Sequence, residues 1–178
     1  MQAIRIESGM KLCYEDEKTF LIEDFIKDKR IQNIRCVEFI TQRKENVFYF
    51  VEAKKGAPNP QKKQHGEEEE KSEDTGCFKQ FIQEIIEKTI HSHIIFYEIL
   101  LKRHCVVLPQ KFMPRDCCTM RYVLVVIIKN HEKEWLVPIH NALQQGLASY
   151  CKASQWGGTP LVVMNESMAL AKGFIKAE

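Results

Sequence analysis

Residues 121–129, "RYVLVVIIK", form an unbroken run rich in β-branched side chains. Such a run reads as a strand buried on both faces, because alternation would appear if either face met water. A strand of that kind needs cover on both sides. The segments after it fit that need. "EWLVPIHNALQQGLASYCKA" (134–153) has helical spacing, with Pro138 near its first turn. "PLVVMN" (160–165) is a second short buried strand. A strand–helix–strand crossover implies that the two strands pair in parallel.

The first half has a different period. Residues 2–7 and 10–15 flank Ser8-Gly9 and read as a hairpin. Residues 18–30 fit either a third strand or a short helix with Phe20, Ile22, Phe25 and Ile26 inward. "NIRCVEFITQ" (33–42) and "VFYFVEAKK" (47–55) read as two strands around the turn "RKEN". Residues 56–76, with Gly56, Pro58, Pro60, Gly66, Gly76 and an acidic run, read as a long mobile loop. From Phe78, helical spacing runs through Phe81, Ile82, Ile85, Ile86, Ile90, Ile94, Tyr97 and Leu101. Near the end, Asn165 suits the cap of the helix "ESMALAK", and Gly173 suits its stop. The expected fold is therefore an α/β class domain, a mixed central β-sheet flanked by helices. At 178 residues the chain suits one domain, residues 1–178.

Composition narrows the setting. Hydrophobic content of 44% and charged content of 28% suit a globular protein rather than a disordered one. No apolar run reaches the ~18 residues of a membrane span. The opening "MQAIRIESGMKLCYEDE" lacks a basic stretch leading into an apolar one, so no secretory signal is expected. The seven cysteines include no CxxC pair and several sit in apolar patterns, so reduced core thiols in a cytoplasmic protein are expected. The net charge of +2 hides an asymmetry. Residues 67–74, "EEEEKSED", carry −5 and leave +7 on the rest, a balance compatible with a nucleic-acid partner. The plainer reading of the acidic run is a solvated loop.

The most informative chemistry lies in "VFYFVEAKKGAPNP" (47–60). On a strand, Glu52 and Lys54 share a face while Val51 and Ala53 point the other way. The preceding strand carries Glu38. Glu38 joins Glu52 on one face only if antiparallel partners have an even sum, such as 90, with an odd-numbered loop of residues 44–46 or 43–47 between the strands. Two carboxylates are hard oxygen ligands suited to Mg²⁺ or Mn²⁺. A lysine beside them can orient a water or stabilise charge on a phosphate. A same-face Glu–Lys pair is also common on solvated strands, where it contributes only tenths of a kcal/mol. His91 and His93, about 200° apart on a helix, cannot share one metal. Cys117-Cys118 shows no neighbouring base, and "WGG" (156–158) reads as a turn.

The stretch "CVEFITQRKENVFYFVEAKKG" resembles the core hairpin of the PD-(D/E)xK, or restriction endonuclease-like, superfamily. That pattern has an acid on one strand and acid-x-lysine on the next. "VEAKKGAPNP" is also similar to bacterial proteins carrying "EAK" before small residues and prolines. The resemblance covers roughly residues 33–129 and implies a Mg²⁺-dependent nuclease-like hydrolase acting on DNA or RNA. It maps the metal ligands to Glu38 and Glu52 and the catalytic lysine to Lys54. Here Glu38 stands where aspartate is usual. The helix that often supplies a further carboxylate would be 18–30, with Glu23 or Asp24; the plainer reading of both is a solvated acid. Lys55, Lys62 and Lys63 are expected nucleic-acid contacts at the mouth of the site. Gln80 and Gln83 are expected mainly at the surface. The alternative is a catalytically silent member of the same fold, serving as a nucleic-acid-binding or protein-interaction module. A third reading docks the acidic run on a basic partner.

Overall fold

The computed structural model describes residues 2–58, 70–114, 119–156 and 160–177, with only the backbone described for 70–75. Lys62, Lys63, the side chains of the acidic run up to Asp74, Cys117, Cys118 and Gly157-Gly158 lie outside the described residues.

The described residues form two sheets. Strands β1 (Gln2–Glu7) and β2 (Met10–Glu15) are the expected hairpin, paired from Gln2↔Glu15 to Glu7↔Met10. Ser8 and Gly9 both have positive φ, 52° and 72°, the conformation a tight two-residue hairpin turn requires. The ambiguous segment 18–30 resolves into both alternatives: a short strand β3 (Thr19–Phe20), then helix α1 (Ile22–Asp28) with Ile22, Phe25 and Ile26 buried. Strand β4 is Phe39–Lys44, not 33–42; Asn33 at φ 60° breaks extended backbone ahead of it. Strand β5 is Val47–Lys54. Strand β6 (Arg121–Ile128) lies between β5 and β7 (Leu161–Asn165), parallel to both. The five-stranded sheet runs β3-β4-β5-β6-β7, antiparallel on one side of β5 and parallel on the other.

Helix α2 spans Glu70–Leu100, so it begins eight residues before Phe78 and takes in the end of the expected loop. Acidic residues favour a helix N-terminus, where the macrodipole is positive. Its buried face also drifts from the expected stripe. Ile82, Ile85 and Ile86 are buried, but Ile94 and Leu101 are exposed and Phe96 and Ile99 take the inward positions. Thr89, Ser92 and His93 occupy the buried stripe between them. Thr89 and Ser92 hydroxyls donate to the carbonyls of Ile85 and Lys88, both at 2.7 Å, which removes the penalty of burying them. Helix α3 (Leu136–Ala153) comes after one 3₁₀ turn and packs on α2. Helix α4 (Glu166–Ala171) starts as expected, with Asn165 Oδ1 accepting from the Met168 amide at 3.1 Å. Strand β8 (Ile175–Lys176) returns to β2 and completes a three-stranded sheet β1-β2-β8.

The central sheet is covered differently on its two faces. Phe48, Phe50, Leu124 and Val126 face α1, α2 and α3. Phe39, Val51, Ala53, Val125 and Ile127 face the small sheet and α4, through Met10, Leu12, Ala169, Phe174 and Ile175. Flanking helices were expected; on one face a second sheet provides much of the cover. The double-sided burial expected of 121–129 holds from Leu124 to Ile128. Among the described residues, no helix is long and apolar enough to cross a membrane.

Candidate functional site

The β4–β5 register determines whether a site exists at all. Phe39↔Val51, Ile40↔Phe50, Thr41↔Tyr49 and Gln42↔Phe48 each sum to 90. The even register demanded by a shared Glu38–Glu52 face is present. It is reached without the odd loop: Lys44 pairs with Val47 across a two-residue turn, and a bulge at Arg43 absorbs the extra residue. The bulge re-aims Arg43, whose guanidinium donates to the carbonyls of Lys172 and Gly173 and stacks 3.6 Å over the Phe174 ring.

Glu38 sits one residue ahead of β4, and its amide donates to the Val51 carbonyl at 3.0 Å. Glu52 lies on the helix-facing side of β5 and has no exposed surface. Glu38 is 5% exposed. One oxygen of each carboxylate, Oε2, is buried without a hydrogen-bond partner among the described residues. Burying a carboxylate without partners is costly, and its pKa responds. Burial pushes the Glu38 carboxyl up to about 8, with further push from Glu52, Glu7 and Glu23 against the pull of Lys88. Burial also raises Glu52, opposed by Lys88 and Lys54.

Lys54 lies next to Glu52. Its Nζ is 3.2 Å from Glu52 Oε1 and 2.7 Å from Glu84 Oε1. Glu84 belongs to α2. So does Lys88, one turn on, whose ammonium donates to Glu52 Oε1 at 2.7 Å. Glu84 and Lys88 were not anticipated; Gln80 and Gln83 were considered on the same helix and are exposed there. The signal that could have found them is their flanking position: Glu84 and Lys88 border the Ile82–Ile85–Ile86 stripe that packs on the sheet.

A second group of acids adjoins Glu38. Carboxylate oxygens of Glu7, Glu23 and Glu38 lie within 4.8 Å of one another. Glu23 was named as a further carboxylate should 18–30 be helical, and α1 brings it there. It is not simply solvated: Arg5 binds it together with Asp24 and, more loosely, Glu7, while Lys27 takes its other oxygen at 3.0 Å. Lys55 lies exposed just past β5. The histidines belong elsewhere. His93 is buried, its Nδ1 2.8 Å from the Tyr150 hydroxyl, and its Nε2 accepts from Trp156 at 3.1 Å. Burial lowers its pKa to about 4, so it is a neutral core group.

The carboxylate oxygens suit a hard divalent cation: one oxygen each of Glu38 and Glu52 is buried without a partner among the described residues, and those of Glu7 and Glu23 adjoin Glu38. Comparison of the chain with protein-family models, with curated proteins and with solved structures found no match.

Proposed function

We propose that this α/β domain is a Mg²⁺- or Mn²⁺-dependent nuclease-like domain, hydrolysing phosphodiester bonds in DNA or RNA, of the restriction endonuclease-like kind. The observation that carries the reading is the pair of buried oxygens on Glu38 and Glu52 without partners among the described residues, carried by neighbouring chain segments in the even register, with Lys54 3.2 Å from Glu52. Glu38 and Glu52 would hold the cation, with Glu23 or Glu7 able to add an oxygen on the Glu38 side. A divalent ion held there would lower the pKa of a bound water and offset charge on the phosphate. Lys54, steadied by Glu84, donates to the water or to a non-bridging phosphate oxygen. Exposed Lys55 contributes a backbone phosphate contact.

One observation favours the second reading, a silent copy that binds nucleic acid or protein. Glu52 Oε1 already carries two ammonium groups. A cleavage assay on single- and double-stranded DNA and RNA, with Mg²⁺ or Mn²⁺, separates the two. Activity that falls by about a hundredfold or more in both Glu52→Gln and Lys54→Ala supports the nuclease. Metal-dependent wild-type activity that survives both substitutions removes this site. Nucleic-acid binding without cleavage favours the silent module.

A further inference from the structure

Glu52 is a buried carboxylate whose one partnered oxygen is shared by two lysines. The lysines are not equivalent. Lys54 lies 2.7 Å from Glu84 and 3.2 Å from Glu52. Lys88 reaches Glu52 at 2.7 Å; Glu52 leads the charges that act on it, followed by Glu38 and Glu84. Lys54 therefore has a partner on α2 whatever happens at Glu52. Lys88 has its short contact on Glu52 itself.

A divalent cation on Glu38 and Glu52 would meet Lys88 at the same carboxylate. Two cations a few ångströms apart in a poorly solvated site repel strongly, far more than in water. Three carboxylates, Glu38, Glu52 and Glu84, face two ammonium groups here. A doubly charged ion added while both lysines stay would set three cations around the one Glu52 carboxylate. The side chain of Lys88 retains 17% exposure and its stem is flexible, so its head has a route to water.

We infer that Lys88 is the resident counter-cation of Glu52 and that a divalent cation must displace it, so that Lys88 sets the affinity of the site for metal. This rests on the metal reading of the Glu38–Glu52 site. Lys88 is a positioning residue: it holds Glu52 Oε1 at 2.7 Å until metal arrives.

Calorimetric titration of Mn²⁺ and Mg²⁺ into wild type, Lys88→Met, Lys88→Arg and Glu52→Gln tests it, with circular dichroism to verify folding. Lys88→Met should bind about tenfold tighter or more, Lys88→Arg should return towards wild type, and Glu52→Gln should lose the site. A wild-type measurement stands beside these in case Lys88→Met does not fold. Labelling of Lys88 by an amine-reactive reagent, read by peptide mass spectrometry, should rise several-fold on saturation with Mn²⁺. Wild-type binding that Glu52→Gln abolishes, with no tightening in Lys88→Met and no change in Lys88 labelling, overturns the role of Lys88 alone. No divalent binding in any folded variant overturns the metal reading, and this inference with it.

Discussion

At Glu38, burial and charge conflict. It is 5% exposed, has an oxygen without a partner among the described residues and stands among Glu52, Glu7 and Glu23. Without metal, its carboxyl is held up to about 8, against 4.5 in the unfolded chain. An acid whose folded pKa is raised binds more protons folded than unfolded between those two values. Its contribution to stability is therefore fully present below pH 4.5 and is lost as pH rises towards 8. In chelator, wild type should weaken across that window relative to Glu38→Gln, on the order of a few kcal/mol. Urea unfolding of both proteins at pH 5 and pH 8.5 measures it; parallel pH profiles would show that Glu38 ionises normally. At the same scale, the Glu38 carboxylate lies beside those of Glu7 and Glu23.

At the scale of elements, the site depends on two packings. The first is the β4–β5 pair, where a one-residue slip would send Glu38 to the opposite face. The bulge at Arg43 lets a two-residue turn coexist with the even register. The second is α2 on the sheet, which delivers Glu84 and Lys88. Helix α3 supports α2 at close range. A methyl added at Gly146 would run into Ile86 Cδ1, in a core where Ile86 is buried. Gly146→Val should thus cost about 1–3 kcal/mol, through overpacking between α2 and α3. Denaturant midpoints measure this. An unchanged midpoint would mean that Ile86 rotates away freely.

Across the whole molecule, the three-stranded sheet and α4 make the second face of the central sheet a core. Phe174 links them: it is 5% exposed, packs among Val51, Ala53 and Val125, and carries the Arg43 guanidinium on its ring. Phe174→Ala should cost about 3–5 kcal/mol. The urea slope should stay unchanged if the domain still unfolds in one step. A loss below about 1 kcal/mol would mean that this second core contributes little. Much of the architecture was legible in the chain. Alternation and β-branched runs marked the hairpin, β5, β6 and β7, and Asn165 marked a helix start, because these signals are local and periodic. So was the requirement that Glu38, Glu52 and Lys54 share a face, since a strand's period of two comes from backbone geometry alone. What needed the tertiary structure was everything set by long-range packing. The start of α2 and its drifting stripe, the sheet that covers the second face, and Glu84, Lys88 and Glu7 at the site all depend on how distant elements meet. Those contacts are made between residues far apart in the chain, and a periodic pattern says which face is buried but not what covers it.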